Sequence, residues 1–155
     1  MKQKAVLRVS SKLLMPPIML FALYVQFHGD FGPGGGFQAG VIFAAAFILY
    51  ALLFGVAQAR RVAPGGVIRA TLAGGLLLYA GTGVAGLLLG GNYLNYSVLA
   101  HDQVHGQHLG ILLIEFGVGM TVASAMITIF FIFAGRGRSE IGETGEMGEM
   151  GERGE

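Results

Sequence analysis

Four apolar runs, over 9–27, 37–59, 67–89 and 109–134, limit what this chain can become. At about 1.5 Å per residue, a helix of roughly 19 residues reaches about 28 Å, close to the hydrocarbon thickness of a bilayer. The runs are continuous and do not alternate with period two, so they read as helices and not as barrel strands. Only 12 % of the residues are charged, about half the share of a soluble domain, and no polar stretch is long enough to bury a core of its own. The expected fold is therefore an all-α integral membrane domain over 1–138 with four transmembrane helices. The first run needs one decision. Counted from Pro16 it is too short to cross; counted from Val9 it suffices, with Lys12 snorkelling and the Pro16–Pro17 pair giving a kink. A cleaved leader is the rival, but the run continues into Tyr24, Gln26 and His28 with no small-residue cleavage site.

Charge gives the orientation. With four spans, all ten Lys and Arg fall on one side: Lys2, Lys4, Arg8 and Lys12; Arg60, Arg61 and Arg69; Arg136, Arg138 and Arg153. All four histidines, with Asp30 and Asp102, fall on the other. The positive-inside rule then places both termini in the cytoplasm; the expected location is the cell (inner or plasma) membrane. The tail over 139–155 holds six Glu against one Arg, in a repeating G-E-x unit without proline, and reads as disordered and solvated. The absence of cysteine removes disulfides, thiolate metal sites and Fe–S clusters.

Small residues show how the helices meet. The third run has Ala70, Gly74, Thr82, Gly86 and Gly90 at multiples of four, broken by Leu78; the second has Gly40 and Ala44 to Ala46; the fourth has Gly110, Gly117, Gly119 and Ala123. Such stripes bring helix backbones together by van der Waals packing. Three of them in four helices favour a flat arrangement covered by partners.

The turn between the first two runs, FHGDFGPGGGFQAG, is far more particular than a membrane reversal requires. Its glycines would let another chain or an ion approach the backbone closely. Gly34-x-Gly36-x-x-Ala39 fits a relaxed dinucleotide fingerprint, but no strand precedes it, and Phe37 stands where a P-loop needs its lysine. The segment resembles the signature of the B subunit (MrpB/MnhB) of Mrp/Mnh-type multi-subunit cation/proton antiporters: His28, then Pro33, Gly34, Gly35, Gly36 and Phe37, then Ala39 and Gly40. The fourth run, HLGILLIEFGVGMTVASAMITIFFIF, is similar to the last span of that family. Where the common form has Asn after the His, this chain has Gly29 and Asp30, with Phe31 and Gly32 before the proline.

The resemblance implies a non-catalytic subunit of a Na⁺(cation)/H⁺ antiporter complex, mainly a scaffold. Its implied partners are the other subunits, membrane lipid and, for the whole complex, a monovalent cation and H⁺; no cofactor and no nucleic acid are expected. A redox-driven, hydrogenase-like complex sharing the same module is the alternative.

The residues themselves supply few groups for ion chemistry. Glu115 is the one acid within an apolar run, about 9 Å in from residue 109, and acids there are functional by default. Gly117, Thr121, Ser124 and Thr128 share the opposite face of the helix and read as packing, so acid and hydroxyls do not line one conduit. His101, His105 and His108 would share a face on a helix and could serve an outer proton or cation vestibule near Glu115. As a metal site they lack a fourth strong ligand, and a small metal transporter built on them is the remaining alternative.

Overall fold

The computed structural model describes residues 2–29 and 32–152, with side chains over 6–29 and 32–135. Five α-helices account for the architecture: α1 (Lys2–His28), α2 (Gly36–Phe54), α3 (Val56–Val62), α4 (Gly65–Leu88) and α5 (Gln103–Glu152). A single 3-10 turn, Tyr96–Val98, lies in the loop before α5. Among the described residues four helical stretches are long and apolar enough to cross a membrane: Val6–His28, Gly36–Phe54, Gly65–Leu88 and Gln103–Gly135. The protein is an all-helical, multi-pass membrane protein.

Two boundaries differ from the sequence expectation, each for a local reason. The second run ends as a span at Phe54 and not at Ala59, because Gly55 adopts φ +93° and breaks the helix. Beyond that break, the short helix α3 carries Arg60 and Arg61 in its last turn. The fourth span begins at Gln103, not at residue 109, so His105 and His108 stand on its first turns and His101 precedes it. Pro16 and Pro17 lie inside α1 without ending it. Near that level the Lys12 ammonium sits 5.5 Å from the Phe54 ring centroid, which places Lys12 at the arginine end. The expected disordered tail over 139–155 falls on residues whose side chains are outside the described set, as does Asp30.

The spans stand in the order α1, α2, α5, α4. α1 packs along α2, α2 along α5 and α5 along α4, while α1 meets α5 only briefly. The last span is thus inserted between the second and third. This row is held differently at its two ends. At the arginine end Ala44, Phe47, Ala51, Ala59, Ile68, Ile127 and Phe131 form the core, with Phe47 and Phe131 edge-to-face at 6.2 Å. At the other end glycines bring backbones together. A Cβ at Gly40 would lie 2.7 Å from the Gly119 carbonyl oxygen, and one at Gly75 2.6 Å from that of Gly117.

The hydroxyl stripe of the fourth run packs as expected. Thr121 and Thr128 donate to the Gly117 and Ser124 carbonyls at 2.8 and 2.7 Å, four residues back. The Gly117–Thr121 face meets α4, and the Glu115–Gly119 face meets the α1–α2 turn. In α4 the close approach falls at Gly75; at Gly74, the position in the sequence stripe, only the tip of Met120 comes within 4 Å of an added Cβ.

The protein contains no native cysteine. His101 and Gln58 are exposed at opposite ends of α4. In intact cells, His101→Cys should react with an impermeant thiol reagent and Gln58→Cys should not. Reaction at both would mean that α4 does not cross the membrane.

Candidate functional site

The glycine turn and Glu115, far apart in sequence, form one joint. α1 ends at His28, and the chain doubles back through Gly32, whose N–H donates to the His28 carbonyl at 3.1 Å. The Gly35 N–H donates to the Val25 carbonyl at 3.1 Å, clamping the start of α2 against the last turn of α1. Gly35 is the N-cap of α2 with φ +122°, a conformation that glycine alone adopts without strain, and no side chain of its own caps the helix.

Into this bare backbone α5 inserts Glu115. A Cβ at Gly29 would come within 2.6 Å of Glu115 Oε2 and 2.8 Å of its Cδ; one at Gly35 would stand 3.0 Å from Oε1. The carboxylate therefore occupies the space that a capping side chain at Gly35 would fill. The first turn of α2 has unspent N–H groups and the positive end of the helix dipole, which favour an adjacent anion by about 0.3–1 kcal/mol and up to roughly 2 kcal/mol when partly buried. One residue further, Gly36 meets the main chain of α5: its Cβ would lie 2.8 Å from the Glu115 carbonyl carbon and 3.0 Å from the Gly119 nitrogen. Two backbones in such contact leave no room for any side chain.

Gln26 completes the joint and was not singled out by sequence. Its side chain is only 7 % exposed, in line with the buried Ser11, Met15 and Ala22 of α1, and its amide lies on Gly119 of α5, where a Cβ would be 3.5 Å from Cδ. The signal available was weak: one long polar residue near the end of an apolar run, with small residues opposite.

The remaining sequence candidates are placed elsewhere. His28 stacks on Tyr24 at 5.2 Å and covers Gly32, so it supports the turn from beneath. Pro33 and Phe37 are exposed, Phe37 at 61 %. Gly34 packs against the Val25 carbonyl. His101, His105 and His108 are all exposed. His105 Nδ1 lies 2.8 Å from Asp102 Oδ2, both open to solvent. Among the described residues no three His, Asp or Glu side chains gather around a space that could hold a metal ion. The face shared by the three histidines on an ideal helix is lost because α5 starts after His101. The loop itself is docked: Tyr93 lies on Gly83 and Tyr96 on Gly110. Partial burial first, then Tyr79 and Tyr93, raise the Tyr96 hydroxyl above its usual 10.0, so it stays protonated at neutral pH.

The row of helices also leaves an open groove of about 480 Å³, floored by Ala39, Gly40, Gly119 and Ala123 and flanked by α1 and α4. Its walls are apolar apart from Gln26, Thr71 and Ser124. Thr71 donates back to Val67 at 2.9 Å.

This arrangement is that of a small polytopic membrane protein with an intramembrane acid seated against the glycine turn. Comparison with known proteins agrees. Residues 6–128 match the family described as a domain related to the MnhB subunit of Na⁺/H⁺ antiporter. A protein of Staphylococcus haemolyticus (strain JCSC1435), provisionally named antiporter subunit mnhB2, is 32 % identical over 136 residues, covering 84 % of this chain and 94 % of the relative. Its namesake in Staphylococcus aureus (strain Newman) is 34 % identical over 137 residues, 86 % of this chain and 96 % of its own. The chain belongs to the MnhB family.

Close backbone contact makes a sharp mutational contrast. Gly40→Ala should destabilise the α2–α5 pair by about 1–3 kcal/mol, as overpacking does. Gly81→Ala, with nothing within 4 Å of the added Cβ, should be neutral or slightly stabilising. Thermal unfolding of the solubilised protein reads both; equal melting temperatures would remove the close-packing account.

Proposed function

We propose that this chain is a scaffolding subunit of a multi-subunit Na⁺(cation)/H⁺ antiporter complex, with both termini in the cytoplasm. It holds neighbouring subunits in register and lends Glu115 to the complex's ion path from the outer side. The observation that carries the ion-path part is the seat of Glu115. Its carboxylate stands at the level where α1 and α2 reverse, against glycines that leave backbone groups uncovered. An acid at this depth is a group that can take up and release a proton on an ion path.

The scaffold part rests on the open row. A closed bundle would bury its own seams, whereas here α1 and α4 flank an apolar groove. Leu23, Phe43, Val67 and Phe116 are among its walls, and an apolar groove of this kind between spans can take a neighbouring helix by van der Waals packing. The principal ion carriers belong to the larger subunits, since one acid cannot make a pathway across a bilayer. The dispersed histidines give no support to a self-contained metal transporter.

Glu115→Gln keeps size and hydrogen bonding and removes the titrating charge. The variant complex should assemble, as read on native gels of solubilised membranes. Cation-dependent proton exchange in everted vesicles, tested with Na⁺, K⁺ and Li⁺ across a pH series, should fall on the order of threefold without vanishing. Full activity with an unchanged pH profile would reduce Glu115 to a structural residue.

A further inference from the structure

We propose that the arginine end of this chain carries a binding site for an anionic phospholipid, with its phosphate held between Arg60 and Arg69. A second cavity, of about 210 Å³, lies there between α3, α4 and α5. Arg60, Gly65 and Arg69 form its polar side, and Thr128, Phe131 and Ile132 its other wall. The cavity is separate from the glycine joint and independent of the role of Glu115.

Both guanidiniums are positioned but barely used. Arg60 donates from one terminal nitrogen to the Phe131 carbonyl at 3.1 Å and lies 5.1 Å from the centroid of that ring. Arg69 donates from Nε to the Gly65 carbonyl at 3.2 Å. A guanidinium has five N–H donors, and the bonds among the described residues engage one on each arginine, holding both on a rigid frame.

Among the described residues no carboxylate pairs with either arginine; the glutamates of 139–155 lie outside the described side chains. The sequence contains no Asp or Glu between Asp30 and Asp102, and the ion pair among the described residues, His105 with Asp102, is at the other end of the molecule. An anion with several oxygens is what this geometry lacks, and a phosphate diester matches the fork of a guanidinium. The first turn of α4 has no side-chain cap and open space over Gly65 and Gly66, which adds main-chain donors at the same wall.

The rest of the cavity selects a lipid over free phosphate. Its α5 side presents Phe131 and Ile132 with Thr128, whose hydroxyl is spent on the Ser124 carbonyl, and Ile132 is 55 % exposed. An acyl chain covers that surface; an inorganic ion leaves it bare. Basic pockets between transmembrane helices at this end of a membrane protein are suited to anionic headgroups, and an arginine in direct contact with the phosphate contributes roughly fivefold in affinity.

Native mass spectrometry of the intact complex, equilibrated with equal phosphatidylglycerol and phosphatidylcholine, tests the site. Phosphatidylglycerol should be retained preferentially. Arg69→Gln should lower its retention roughly fivefold, whereas Arg61→Gln, the same charge change outside the cavity, should lower it less than about twofold. Arg69 is the primary variant because its bond lies within its own helix; Arg60→Gln also removes a contact to α5. Millimolar inorganic phosphate should not displace the lipid. Equal effects of Arg61→Gln and Arg69→Gln, no preference over phosphatidylcholine, or displacement by inorganic phosphate would each overturn the proposal. So would binding seen only after removal of residues 139–155, since the acidic tail would then be the native occupant.

Discussion

A carboxylate seated on glycine main chain is the contact on which the rest of this molecule depends. Glu115 enters where α2 begins, and the glycines at 29, 35 and 36 leave it room. In hydrocarbon there is no hydrophobic force to pull helices together, so contact area and polar anchoring decide which helices meet. The joint supplies both. It ties the α1–α2 hairpin to α5, and because α4 packs on the opposite face of α5, it also sets the order of the whole row. The aromatic core at the arginine end then fills the wider space between the same helices.

The existence of the four spans was legible from hydropathy, and their ends were less so. Hydropathy cannot distinguish a residue that continues a helix in lipid from one that continues it along the surface, and Gly55 is apolar by any scale while breaking α2. The start of α5 was placed six residues late for the converse reason, because 103–108 are polar yet helical. The order of the helices could not be read from the apolar runs at all. In a soluble bundle the polar face marks the outside; here lipid and protein neighbours demand the same residue types.

The candidate site was readable in its parts and not in its assembly. The turn stood out by its glycines and Glu115 by its charge, yet no spacing rule connects residues 29–36 with residue 115. The stripe in α4 pointed to Gly74 when the contact is made at Gly75, since small neighbours on adjacent positions leave the register open. The histidine loop misled for a different reason: a helical face was drawn through His101, which lies before the helix. Gln26 illustrates the general difficulty. A lone glutamine at the end of a span looks like an interface anchor, and only the opposing Gly119 makes it part of a joint.

The central claim is that Gly29 and Gly35 of the turn are glycine because of the Glu115 side chain. A pair of double-mutant cycles measured by thermal unfolding of the solubilised complex tests this directly. At Gly29 the atoms nearest an added Cβ are those of the Glu115 carboxyl group, whereas at Gly36 they are main-chain atoms of Glu115 and Gly119. Shortening by Glu115→Ala should therefore relieve Gly29→Ala, with a coupling of about 1 kcal/mol or more, and should leave the cost of Gly36→Ala unchanged. Additivity in both cycles would contradict the account: the carboxylate would not be seated in the turn.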